Sequence, residues 1–259
     1  ATQGNGCESA PRSLKEAAAR VLAALDGPAT RAELTDALLS LRPSDARHAR
    51  RYAQEAIRNH DDVVDVGSGM LARASWVMDG VRFRCQPEGE ELENGTLSMR
   101  WLYGFIPRAA EITTLRTGDG DMVGRWPLEP YFDRHYREPA PCLDLATWYG
   151  QHDFRPGDSI VVTVLDYANA ELRIAFEPHS DRRAEVIAAQ NEFLAEAIWR
   201  SFCAHKRRST RQLLATVVPA AYARLSSGRD YPGDHYSLVI ERDGRMQLAD
   251  DYALIATNT

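Results

Sequence analysis

Residues 13–76, SLKEAAARVLAALDGPATRAELTDALLSLRPSDARHARRYAQEAIRNHDDVVDVGSGMLARASW, form the stretch on which the fold turns. Ser13, followed three residues later by Glu16, has the spacing of a capping box and predicts a helix start. Ala17, Val21, Leu22 and Leu25 follow at helical spacing until Asp26, Gly27 and Pro28 stop the run. Thr30 and Glu33 repeat the pattern and open a second helix with Leu34, Ala37, Leu38 and Leu41 on one face. Arg42 ends it, because the residue before a proline is pushed out of helical geometry. Ser44 is the expected cap of a third helix reaching about His60. Val63, Val64 and Val66 then alternate as a strand, Gly67-Ser68-Gly69 turns the chain, and Met70 to Trp76 is expected to return as a second strand.

On the third helix Ala46, Ala49, Ala53, Ala56 and Ile57 make a thin apolar stripe, small enough for close packing on the first two helices. Opposite it Arg47, Arg51, Gln54 and Arg58, spaced four, three and four apart, fall in one row, with Arg50 beside it. Arginine and glutamine pair bidentately with guanine and adenine edges, and arginine also holds phosphates. Arg73 is expected on the return strand as a further contact. Three helices and then a two-stranded ribbon are the order of a winged helix-turn-helix, which binds duplex nucleic acid or docks on another protein.

Ser13-Leu14-Lys15-Glu16-Ala17-Ala18, Gly27-Pro28-Ala29 and Asp65-Val66-Gly67-Ser68-Gly69-Met70-Leu71 resemble the winged-helix module called HARE-HTH. That module occurs in some restriction enzymes, in chromatin proteins and in the delta subunit of bacterial RNA polymerase. The resemblance covers about a quarter of the chain. It implies DNA binding, or service as an adaptor in a DNA-associated machine. Two features favour the adaptor. Ser68 stands in the turn where many winged helices place an arginine or lysine. Residues 1–80 also hold ten Lys/Arg against eleven Asp/Glu, so phosphate attraction is confined to one face. The arginine row therefore has two readings: a nucleic-acid contact, or the solvated face of an amphipathic helix, protein docking included.

The 259 residues allow more than one compact domain. The expected division is a polar tail over 1–10, a winged helix over 11–80 and a mixed domain over 81–259. Within the last, 81–178 is strand-rich and 179–259 reads as helix, helix, hairpin. The formal net charge of −6 gives no global pull toward nucleic acid, so any contact must come from a local basic face. The four cysteines are far apart and form no C-x-x-C pair, which argues against structural zinc and fits a reducing cytoplasm. The most apolar run, Leu213 to Ala223, is about half of what spans a bilayer and is broken by Pro219. Ala1 to Ala10 lack the order of a signal peptide, so the expected location is cytoplasmic, away from membranes.

In the mixed region Val81 to Cys85 reads as an alternating strand. Glu111 to Arg116 and Met122 to Trp126 flank Gly118-Asp119-Gly120-Asp121 as a hairpin, and Cys142 to Tyr149 reads as a short helix. Pro156-Gly157-Asp158 leads into a strand over Ser159 to Asp166, and Ala168-Asn169-Ala170 turns it back into Glu171 to Phe176. Ser180 is the expected cap of a long helix to about Ala204, with Val186, Ile187, Phe193, Leu194, Ala197 and Ile198 facing a core. The basic cluster after it supplies Lys206, Arg207, Arg208 and Arg211 as a second phosphate-facing patch; its bland reading is a cationic helix end. A helix over Thr210 to Leu225, bent or interrupted at Pro219, precedes a terminal hairpin of Tyr236 to Ile240 and Arg245 to Ala249 around Arg242-Asp243-Gly244.

Chemistry is thinly signalled. There is no P-loop and no H-E-x-x-H, and neither Lys15 nor Lys206 stands two residues after an acid, as a PD-(D/E)xK nuclease requires. Asp133, His135, His152 and Asp153 are the best catalytic candidates, able to bind a divalent metal or share a proton, against a reading as loop surface. Asp234-His235 reads as turn chemistry. No cofactor is implied, and a small-molecule ligand is left open. The sequence thus points to an α+β protein whose leading function is duplex-DNA binding in an accessory or regulatory role. A protein-docking adaptor and a metal-dependent enzyme with its site in the mixed domain are the alternatives.

Overall fold

The computed structural model describes residues 10–60, 62–87, 89–107, 114–117, 130–132, 139–206, 211–225, 231–250 and 253–257. It is a mixed α+β protein whose sheets are mainly antiparallel. The chain divides between Ala74 and Ser75 into two compact units.

The first unit runs α1 (Leu14–Ala23), β1 (Ala29–Thr30), α2 (Arg31–Leu41), α3 (Ala49–Arg58), β2 (Val63–Gly67) and β3 (Met70–Arg73). Thr30 caps α2 with a complete box: its hydroxyl accepts the Glu33 amide at 3.2 Å, and the Glu33 carboxylate accepts the Thr30 amide at 2.7 Å. At α1 only half of the box forms. The Ser13 hydroxyl accepts the Glu16 amide, but the Glu16 carboxylate takes the Arg12 amide and the Arg20 guanidinium, each at 2.7 Å. The strands form a sheet in the order β1-β3-β2, so the expected ribbon gains a third, two-residue strand through Thr30↔Met70 and Ala29↔Leu71. Gly67, Ser68 and Gly69 all have positive φ, which is why glycines flank the turn. Ala17, Ala18, Val21, Leu34, Leu38, Ala53, Ile57 and Leu71 form the core. Burying a side chain such as Leu38 or Ile57 contributes about 1.5–3 kcal/mol.

Two boundaries differ from expectation. Helix α3 starts at Ala49 rather than after Ser44, because the Ser44 hydroxyl accepts the Ala46 amide and the Ala46 carbonyl accepts the Ala49 amide, closing a tight turn first. The return strand stops at Arg73, and residues through Trp76 belong to α4 (Ala74–Met78).

The second unit contains β4 (Arg82–Cys85), α5 (Glu90–Glu93), β5 (Thr96–Ser98), β6 (Thr114–Arg116), β7 (Pro130–Phe132), β8 (Pro139–Asp144), α6 (Ala146–Gln151), β9 (Ser159–Asp166) and β10 (Glu171–Glu177). Then follow α7 (Ala184–Lys206), β11 (Arg211–Leu213), α8 (Leu214–Tyr222), α9 (Tyr236–Asp243), β12 (Met246–Asp250) and β13 (Ala253–Ala256). Its sheets have the orders β4-β9-β10-β6, β5-β8-β7 and β11-β13-β12. The turn before β9 is held by Asp158, whose carboxylate accepts the amides of Arg155 and His179, each at 2.8 Å. One face of the four-stranded sheet is core: Phe83, Leu115, Val162, Val164, Leu172 and Ile174 are all buried. Helix α7 packs on α8 and α9.

Several expectations for this unit are corrected. Strand β4 does not alternate in and out, because Phe83, Arg84 and Cys85 are all buried. Cys142 to Asp144 are strand, and the helix is Ala146–Gln151. Ser180 lies in a 3-10 turn and donates to Asp181, and α7 begins at Ala184. Of its expected core positions, Ile187, Leu194, Ala197 and Ile198 are buried, but Val186 and Phe193 are exposed. Helix α8 begins at Leu214 and runs through Pro219, while Arg211 to Leu213 pair with β13. Tyr236 to Ile240 are helix, ended by Gly244 in the left-handed conformation, and the terminal hairpin is β12–β13. The hairpin expected around Gly118 to Asp121 lies largely outside the described residues; of it, Thr114–Arg116 pairs parallel to β10. Among the described residues no helix is long and apolar enough to cross a membrane.

Candidate nucleic-acid interface

Helix α3 buries Ala53 and Ile57 and turns the other side of its axis to solvent. Arg51, Gln54 and Arg58 lie there at the spacing that places them on one face. Arg51 is three-quarters exposed and meets Glu55 at 3.2 Å. Arg58 is exposed and, among the described residues, reaches only the Asn59 side chain, at 3.4 Å. Gln54 is half-buried and has no protein partner among the described residues. Arg47, expected on the helix, lies instead in the turn before it, exposed and also without a partner among the described residues. Arg50 pairs with Asp36 at 2.6 Å, both side chains more than half exposed.

Exposed ion pairs contribute about 0–1 kcal/mol, so Arg50 and Arg51 can exchange Asp36 and Glu55 for a phosphate at little cost. Arg73 differs. Its guanidinium meets Asp62 at 3.0 Å with both side chains largely buried, which makes it part of the ribbon's support. Sequence reasoning missed Tyr52, which is about half exposed on α3 with its ring edge-on to His48. The available signal was an aromatic four residues after a histidine and off the apolar stripe. His48 itself makes no side-chain cap at the helix start.

The second basic patch is not brought into view. Lys206 ends α7 and Arg211 opens β11, with their side chains outside the described set, as are Arg207 and Arg208 altogether. Asp133 and His135 also lie outside the described residues. His152 stacks on Phe176 and meets Trp148 edge-on, and Asp153 pairs with Arg155. Among the described residues no three His, Cys, Asp or Glu side chains are grouped to hold a metal.

Asp234-His235 is not surface turn chemistry. Both residues are buried. One Asp234 oxygen accepts from Gln86 at 2.8 Å and Arg182 at 3.4 Å, the other from Asn191 at 2.9 Å and Arg242 at 2.6 Å. Nearby, Arg84 is fully buried and forks onto Glu177 at 2.7 and 3.1 Å while donating to the Pro232 carbonyl. The Tyr231 hydroxyl donates to Glu177, and the guanidinium groups of Arg84 and Arg183 lie over its ring, 5.0 and 4.9 Å from the centroid. Burial is the largest influence on Glu177 and raises its pKa, but the bonds from Arg84 and Tyr231 outweigh it and hold the carboxyl below its usual range.

His235 sits among Phe83, Trp101, Phe105 and Tyr236. Its Nε2 must carry the proton, since it faces the Trp101 carbonyl at 2.9 Å, and Nδ1 accepts from the Ser237 amide. Burial pushes its pKa down to about 3. These carboxylates are saturated with donors and the imidazole is held in one tautomer, so the cluster fixes the fold rather than offering a reactive group. Comparison of the chain with protein-family models, curated proteins and solved structures finds no match.

Proposed function

We propose that the first unit is a winged helix of HARE-HTH type that binds duplex DNA through α3, in an accessory or regulatory role. The carrying observation is the outward row of Arg51, Gln54 and Arg58, none of them tied into the core or a buried ion pair. In this reading the arginines hold phosphates and base edges while Gln54 reads an adenine edge. Arg47 and Arg50 extend the cationic surface at the helix start.

The test is fluorescence anisotropy of the full chain on a random-sequence duplex across a salt series. Binding is expected to weaken steeply with salt, and Arg51→Ala with Arg58→Ala to reduce the log–log slope by about 1.8, at about 0.9 per lost phosphate contact. An unchanged slope in that variant would sink the α3 interface. Docking on a protein is the second reading, favoured by the exposed ring of Tyr52 on the same helix. Its signature is partner capture that is lost in Tyr52→Ala and insensitive to nuclease.

A further inference from the structure

Helix α7 carries an apolar stripe on its outer side. Ile187, Leu194, Ala197 and Ile198 are buried, whereas Val186, Ala189 and Phe193 are exposed at a spacing of three and four residues, which keeps them on one face. Phe193 is 60% exposed, more than any other large apolar side chain among the described residues. A contiguous apolar run along two turns, unlike a lone exposed residue, is the pattern of a contact surface.

The stripe ends in charges of opposite sign. Glu185 stands at its N-terminal end, exposed and without a protein partner among the described residues. Arg200 stands at the C-terminal end, exposed and paired with Glu196 at 2.7 Å. Both side chains of that pair are well exposed, so Arg200 can exchange Glu196 for another carboxylate at little cost. Phe193 lies close to the midpoint between Glu185 and Arg200 in the sequence. Glu192 turns to the flank, where it lines a groove toward α9 together with Arg242 and Arg245.

A helix face of this kind complements its own reverse. Laid antiparallel on a copy of itself about a two-fold axis near Phe193, each Glu185 comes beside the partner's Arg200. The two Phe193 rings then meet at the axis, with the small Ala189 leaving room beside them. At about 1.5 Å per residue each charge lies about 11 Å from the axis, within reach of its mate at a crossing angle of about 20°. A parallel pair would instead set Glu185 against Glu185 and Arg200 against Arg200. We propose that α7 packs antiparallel on α7 of a second copy of this chain, making a two-fold homodimer through Val186, Ala189 and Phe193. The surface shares no residue with α3 and needs no nucleic acid.

The test is sedimentation equilibrium of the full chain without nucleic acid, over about 1 to 100 μM. A monomer–dimer equilibrium is expected, and Phe193→Glu should leave monomer alone. Glu185→Arg or Arg200→Glu by itself brings like charges together at both symmetric ends, and should weaken association about tenfold. The two changes combined reverse both charges and should restore association to within about threefold of the wild type, which a merely structural effect would not do. A chain that stays monomeric over this range overturns the proposal and leaves the stripe to a different partner. A dimer that survives Phe193→Glu, or single charge variants that the second change fails to rescue, also overturns it.

Discussion

At the level of single residues the least expected result is that an aspartate and a histidine next to a Pro-Gly pair are among the most buried polar groups in the chain. Asp234 and His235 read locally as a turn because their partners are Gln86, Trp101, Arg182, Asn191 and Arg242, brought to them only by the fold. A lone Asp-His pair carries no record of such partners. The burial of His235 has a pH consequence. Its pKa of about 3 in the folded chain lies below the unfolded value near 6.5, so the unfolded chain binds more protons between the two. This contribution to stability is complete above about pH 6.5 and is lost as the pH falls toward 3, by about 1.4 kcal/mol per unit. Urea midpoints at pH 7.5 and 5.5 should show a loss of about 1.4 kcal/mol in the wild type, which His235→Gln largely removes. Equal pH sensitivity in the two proteins would assign the loss to other groups. Glu177 acts in the same direction but in a lower window, with stability lost as the pH falls below its ordinary range.

Elements were legible where local chemistry and tertiary packing agree. The Thr30–Glu33 box sits at α2 with both arms formed, and the turns before β9 and before β10 use the residues their sequences advertise. Thr30→Ala is expected to cost about 1 kcal/mol, within a 0.5–2 range, read as a shift in the denaturation of the first unit. An unaltered midpoint would mean that β1 pairing, not the cap, fixes the start of α2. Elsewhere the same signals served a different purpose. Asp243-Gly244 suits a hairpin turn and a left-handed helix end equally well, and the β-branched run at Val239-Ile240 tips a local reading toward strand. Packing of Tyr236, Val239 and Ile240 into the core decides for helix. At α3 the Ser44 hydroxyl is used inside a turn, which delays the helix and takes Arg47 off its axis.

For the whole molecule the net charge of −6 makes the location of positive charge more informative than its amount. The candidate phosphate-facing surface is the α3 face of the first unit, where Arg51 and Arg58 are exposed on a chain that is acidic as a whole. Losing both arginines is therefore expected to lower the salt slope by about 1.8, two contacts at about 0.9 each. Anisotropy on a duplex of several helical turns would measure it at one-to-one stoichiometry, and a slope that the double variant leaves unchanged would assign the binding to another surface.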